Sequence, residues 1–300
     1  IRLLLIYVCL LFPLAGIGQR KLLQMVHDLI KAGKELTKAE NTLRGLLVDS
    51  VSKKNSKIWL LLCDALRKQY EQGNEKLYLR QKYDTASFFS VTRRLYDTMS
   101  RFDSLDAQPD TRGRVRTKYR AKHAAFLNSI RLNLFNGGSY FTHKKDYKSA
   151  FDYYSDYLQS VTYPLFEDYN YMKNDALIPH AGYWAMFCGY KLNDADKIMR
   201  FKDQAERDTS MLNFVRQYEA EAYLIKKDTA MYVASLKAGF EQYPNFAFFF
   251  PRLVEYYAKI GAHQKALDVT ERALKTDSTS LLFRFAKSTV LLNLGRYDEC

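Results

Sequence analysis

Glycine and proline are scarce in this chain, 13 and 6 residues of 300, and no stretch alternates apolar and polar residues cleanly for more than about five positions. A mainly β fold needs such alternation punctuated by turn residues, so it is excluded and the chain reads as all α. Histidine is thin as well. His27, His123, His143, His180 and His263 stand isolated, so no helix carries the two histidines, four apart with a glutamate between, of a zinc protease. No G-x-S-x-G elbow, phosphate-binding P-loop or dinucleotide fingerprint occurs. Asp146, Asp152 and Asp156 have the spacing of a solvated helix face, not that of a paired acid and base. Asn136-Gly137-Gly138-Ser139 is glycine-rich but falls inside a helical pattern, where small residues serve close packing. No catalytic residue, metal or cofactor is therefore expected. Cysteines number four; beyond Cys9 in the N-terminal apolar run, Cys63, Cys188 and Cys300 are far apart and odd in number. They imply no disulfide framework and read as small buried apolar residues.

What the chain has in quantity is aromatic and basic. Its 23 tyrosines and 19 phenylalanines suit helices whose joints are filled by rings. The net charge is +13, with Lys and Arg spread along the whole length, which invites an anionic partner. The densest run is Arg112, Arg114, Arg116, Lys118, Arg120 and Lys122. Residues two apart diverge on a helix, so the run makes one basic stripe only if its first half is extended.

Arg2 precedes the apolar run Leu3 to Leu14, followed by Ala15-Gly16-Ile17-Gly18-Gln19. A basic lead, a dozen apolar residues and small residues before Gln19 predict a signal peptide over residues 1–18, cleaved after Gly18. The run is short of the ~20 residues of a membrane span. No cysteine stands at the cleavage point for lipid attachment. The chain is accordingly expected to be exported. A start at Ile1 and a stop at Cys300, partway into a repeat, predict that more chain follows.

The strongest pattern is a repeat. Gly261 recurs as Gly295, the rings His263 and Tyr297 follow each by two residues, and Ala266 and Cys300 come three further on, a period of 34. Ala266 and Ala273 give the small face of one helix and Leu253 and Tyr257 the bulky face of the one before it, so the pair can approach closely. Units in this frame begin near Arg131, Pro179, Asn213, Ala247 and Leu281, with 14 extra residues between the first two. Asn193-Asp194 supplies the turn of the second unit and Ala205 its late small residue; Trp184 lies one place late.

A 34-residue period with these residues resembles the tetratricopeptide repeat (TPR). Tyr78 to Thr85 and Leu134 to Gly138 add a likeness to secreted TPR proteins of the type common in Bacteroidetes. The resemblance implies an α-solenoid of antiparallel helix pairs in a right-handed superhelix, with an array over 118–300. Ahead of it stand irregular TPR-like hairpins over 19–105 and a linker over 106–117. Within the hairpins, Gly33 marks a joint before a helix running to about Val51. A second helix runs from Lys57 to Gln72, capped by Asn55 or Ser56 and ended by Gly73, and a third from Asp84 to about Phe102.

The resemblance also implies a concave groove lined by the first helix of each unit. Its inward positions include Phe135, His180, Tyr183, Phe187, Tyr190, Phe214, Phe248 and Phe285. Rings with a polar tip suit a protein or peptide partner, so the expectation is a non-enzymatic scaffold in the periplasm or at the outer membrane. The chaperone-tail clamp is set aside, since only Arg252 matches its pattern. The alternative is binding of an anionic polymer, whether nucleic acid, glycan or lipid headgroup, through the basic run.

Overall fold

The computed structural model describes residues 18–300, and the expected signal peptide, apart from its last residue, lies outside them. No strand occurs among the described residues; the regular structure is helical throughout. Two compact units divide the chain.

The first unit takes the described residues up to Gly137 together with Gln159–Tyr171. Helix α1 (18–32) ends at Gly33, which adopts φ +65. Helix α2 (Leu36–Leu46) stops short of the Val51 expected from the sequence. A short 3-10 turn (Ser52–Lys54) leads to α3 (Ser56–Tyr78), where Asn55 accepts the Lys57 N–H as cap. Gly73 does not end α3. It lies inside the helix, where a Cβ would come within 2.9 Å of the Tyr83 ring, so glycine is needed for close approach and not for a turn. Helix α4 (Thr85–Asp106) is capped by Asp84 and runs a turn further than expected, because Asp103 and Asp106 hold the strap that follows. That strap, 107–119, corresponds to the expected linker but joins helices of one unit and divides nothing. Helices α5 (Arg120–Ile130) and the start of α6 (Leu132–His143) complete the main segment.

Helices α2 and α4 both pack on α3, around Ile58, Leu62, Leu66 and Leu95. Buried Glu40 is held by Arg44 at 2.8 Å and Arg94 at 2.9 Å. The extra residues expected as an insertion form 3-10 turns at Ser160–Thr162 and Pro164–Tyr169, with Leu165 and Phe166 buried. Buried Arg131 stacks on Tyr171 at 4.0 Å and donates to Ser160 Oγ at 3.1 Å.

The second unit takes Gly138–Leu158 and Met172–Cys300. Its helices are α7 (Tyr147–Gln159), α8 (Tyr171–Asn174), α9 (Ile178–Lys191), α10 (Ala195–Met199) and α11 (Lys202–Ala205). They continue as α12 (Leu212–Ile225), α13 (Thr229–Gln242), α14 (Phe249–Lys259), α15 (His263–Thr276) and α16 (Leu281–Asn293). From α12 to α16 each helix packs on the next. Helices α6, α9, α12, α14 and α16 begin within two residues of the five unit starts read from the sequence.

One backbone corner recurs through this unit. Lys145, Asn193, Lys227, Gly261 and Gly295 all adopt positive φ, between 53 and 73. At each, the following N–H reaches back to a carbonyl five residues earlier: Asp146 to Phe141, Asp194 to Gly189, Asp228 to Tyr223, Ala262 to Tyr257 and Arg296 to Leu291, at 2.9–3.0 Å. This is the Schellman helix ending, which satisfies carbonyls that the last turn would leave bare. The last four corners are 34 residues apart; the first precedes them by 48, one period plus the 14 extra residues. At the first three corners the next residue is an aspartate that caps the coming helix, Asp146 to Ser149 N–H, Asp194 to Lys197 N–H and Asp228 to Met231 N–H. Asp146 is thus a cap, not a member of a solvated face. Ala266 and Ala273 are fully buried against Leu253 and Tyr257, as the small-against-large spacing requires. Cys63 and Cys188 are buried, whereas Cys300, which follows the turn at Tyr297–Glu299, is exposed and not the buried small residue expected.

Candidate functional site

The rings nominated from the sequence divide by position. In the second unit, α9 carries His180, Tyr183, Trp184, Phe187 and Tyr190 at three- and four-residue intervals, so they share neighbouring faces. Helix α12 brings Phe214 and Tyr218 against them. Ring contacts run from His180 to Trp184 (6.1 Å), Trp184 to Phe187 (5.4 Å) and Phe187 to Tyr218 (6.3 Å). Tyr218 in turn stacks on Tyr190 (5.1 Å). Tyr183 joins through Phe214 at 6.4 Å, and Phe214 continues to Phe246 at 5.1 Å. Edge-to-face and offset rings at these separations lock one another in place.

Not every nominated ring is open to a partner. Tyr183 and Phe248 are only 7% and 5% exposed. Tyr183 packs against α12, and Phe248 lies under the Arg252 guanidinium at 3.9 Å, so both serve packing and not a groove surface. His180, Phe187, Tyr190 and Phe214 are half-buried, each with part of a face in water. Phe285 stands 73% exposed on α16. Phe135 is half-buried on the part of α6 that belongs to the first unit. Sequence reading missed Trp184, Tyr218 and Tyr147, whose ring meets Phe187 edge-on at 5.8 Å, as members of the cluster. The signal available was Trp184 four residues after His180 on the same helix.

Polar groups at the cluster are fixed. Trp184 Nε1–H donates to His180 Nε2 at 3.1 Å, so the neutral imidazole carries its proton on Nδ1, which faces Asp208 Oδ2 at 3.4 Å. Hydrogen bonds from the Ser210 hydroxyl and from His180 hold the Asp208 carboxyl below its ordinary range. Burial, reinforced by neighbouring Tyr183, pushes the Tyr218 hydroxyl far up and keeps it protonated. Lys191 Nζ sits 5.3 Å above both Phe187 and Tyr190. On α12, burial raises the Glu221 carboxyl while Arg252, 3.7 Å away, opposes that rise.

The basic run is arranged differently. Arg112 sits in a turn closed by the Gly113 N–H donating to Asp110 O at 2.9 Å, and Arg114 and Arg116 follow it outside any helix, so the run forms no helical stripe. Two of the six cations are already matched: Arg114 to Asp110 at 3.0 Å, and Arg120 to buried Asp103 at 2.8 Å. Beside Arg120, a hollow of about 450 Å³ is lined by Thr117, Ala121, Ala124, Leu165, Asp168 and Tyr169. Asp168 on its wall and the Arg120–Asp103 pair leave it a poor receptor for anions.

Among the described residues no group of three His, Cys, Asp or Glu side chains could hold a metal ion, and no helix is long and apolar enough to cross a membrane. No protein-family model matches the sequence, and no curated protein matches it.

Proposed function

We propose that the second unit is a TPR-like stack of antiparallel helix pairs, part of an exported, non-enzymatic scaffold that holds a protein or peptide segment against the rings of α9 and α12. The observation that carries this reading is the recurrence of one Schellman corner at 34-residue spacing. Identical corners at a constant interval are what a stack of equal hairpins requires. The gripping face would consist of His180, Trp184, Phe187, Tyr190 and Phe214, rings that are already ordered by mutual contact and still partly open. Large preordered rings give contact area at small entropic cost, which is how interface hot spots work.

The experiment is affinity capture from the source cells with wild type and with F187A/Y190A, after circular dichroism has verified equal helicity. Loss of specific partners from the variant is expected. An unchanged set of captured proteins rejects the reading. The basic run supports the alternative, an anionic polymer, less well, because two of its cations are already neutralised by carboxylates.

A further inference from the structure

We propose that the turn between α2 and α3, in the first unit, is a docking loop for an anionic lipid bilayer. The turn is closed by its own hydrogen bonds. Lys53 N–H donates to Asp49 O at 3.0 Å, Lys54 N–H to Val51 O at 3.1 Å and Asn55 N–H to Ser52 O at 3.0 Å. The Asp49 carboxylate accepts the Ser52 N–H at 2.8 Å, and the Trp59 indole N–H donates to Lys53 O at 2.8 Å. A turn this well tied presents a fixed surface, and at its tip Val48 and Val51 are 79% and 77% exposed. Both are β-branched apolar side chains turned into water by a backbone that is itself satisfied.

Three exposed cations, Lys53, Lys54 and Lys57, follow them in the same turn and the start of α3, and the nearest carboxylate in sequence, Asp49, is committed to the Ser52 N–H. Gln19 Nε2 donates to Ser52 Oγ at 3.1 Å, which ties the first turn of α1, with exposed Arg20 and Lys21 next in sequence, to the same loop. An apolar tip followed at once by exposed lysines, with the Trp59 indole bonded to the turn, is complementary to a bilayer surface. The valines enter the boundary between headgroups and acyl chains while the ammonium groups remain at the phosphates. Nucleic acid is the poorer match, because valines offer a base nothing to stack on. This surface is separate from the ring cluster, and its test is independent of that reading.

Flotation with vesicles tests it, using the whole chain in an L5D/L10D background so that the N-terminal apolar run adds no binding. Wild-type loop on vesicles containing phosphatidylglycerol is expected to float, and on phosphatidylcholine alone to stay behind. K53Q/K54Q/K57Q should weaken partitioning by roughly a hundredfold, about fivefold for each lysine. V48D/V51D and the uncharged V48S/V51S should both lose binding while helicity is unchanged. Absence of binding by the wild-type loop, equal binding to both lipids, or full binding by V48S/V51S overturns the proposal.

Discussion

Replacing Gly239 with alanine should destabilise the second unit, although the same change in an exposed helix would do the opposite. Gly239 lies inside α13, and a Cβ there would fall 2.3–2.5 Å from three atoms of the Phe249 ring on α14. Phe249 is fully buried, so the ring has no open space to swing into and the helices must separate. Overpacking of this kind costs about 1–3 kcal/mol. Alanine's higher helix propensity returns about 1 kcal/mol, leaving a net loss of up to ~2 kcal/mol. In a Phe249→Leu background the obstructing ring atoms are gone, and the same substitution should become neutral or stabilising, a coupling of about 2 kcal/mol. Urea denaturation reads this cleanly in a Trp59→Phe background, where Trp184 alone reports and lies in the unit that is perturbed. A higher midpoint for Gly239→Ala, or the same shift in both backgrounds, refutes the close approach of α13 and α14.

Other outcomes follow from the corners and buried groups. Lys227→Gly should stabilise and Gly261→Ala destabilise, each by ~1 kcal/mol, because both positions are left-handed and a Cβ at Gly261 meets no atom within 4 Å; thermal unfolding measures both. Asp194→Ala removes the cap of α10 and should cost about 1 kcal/mol at neutral pH. Hydrogen bonds from Lys197 hold the Asp194 carboxyl below its ordinary range in the folded chain. Its contribution is therefore full above about pH 4 and is lost as pH falls through the folded value, so wild type and variant should converge in acid melts. Glu40→Ala removes the carboxylate that Arg44, Arg94 and Gln69 share, but both arginines are a third exposed and keep Thr98 and Ser90 as partners, so the first unit should lose only ~1 kcal/mol, read in denaturant melts through Trp59 with Trp184 replaced. Burial raises the thiol pKa of Cys63 and pushes that of Cys188 up to about 12, so thiol reagents at neutral pH should modify Cys300 and spare those two.

The repeat frame was legible because two of its corners use glycine. Gly261 and Gly295 stand out in a chain poor in that residue, and Asn193 tolerates the left-handed region well enough to signal a turn. Lys145, Lys227 and Arg80 occupy the same conformation without any compositional mark, since their strain is balanced by the Schellman bonds that form only in the folded chain. Gly73 misled in the opposite direction. Spacing alone does not distinguish a glycine that ends a helix from one that lets Tyr83 approach. The second helix after α9 breaks at Arg200-Phe201 as Phe201 turns inward, while α10 and α11 lie close to Gly189 and Gly182, where a Cβ would meet backbone at 2.6 Å. For the candidate site, helical spacing gathered His180, Phe187 and Tyr190 correctly on one helix. Exposure is set by the neighbouring helix, so Tyr183 and Phe248 were nominated for a surface from which α12 and Arg252 remove them.

Site-specific photocrosslinking tests the central claim most directly. A photoreactive phenylalanine analogue placed at Tyr190 or Phe214, on the half-open face of α9 and α12, is compared in cells with the same group at exposed Ala238 on α13. The account predicts discrete adducts from the first two positions and none from Ala238. Adducts from Ala238 alone, or no adduct from either ring-face position, would contradict it.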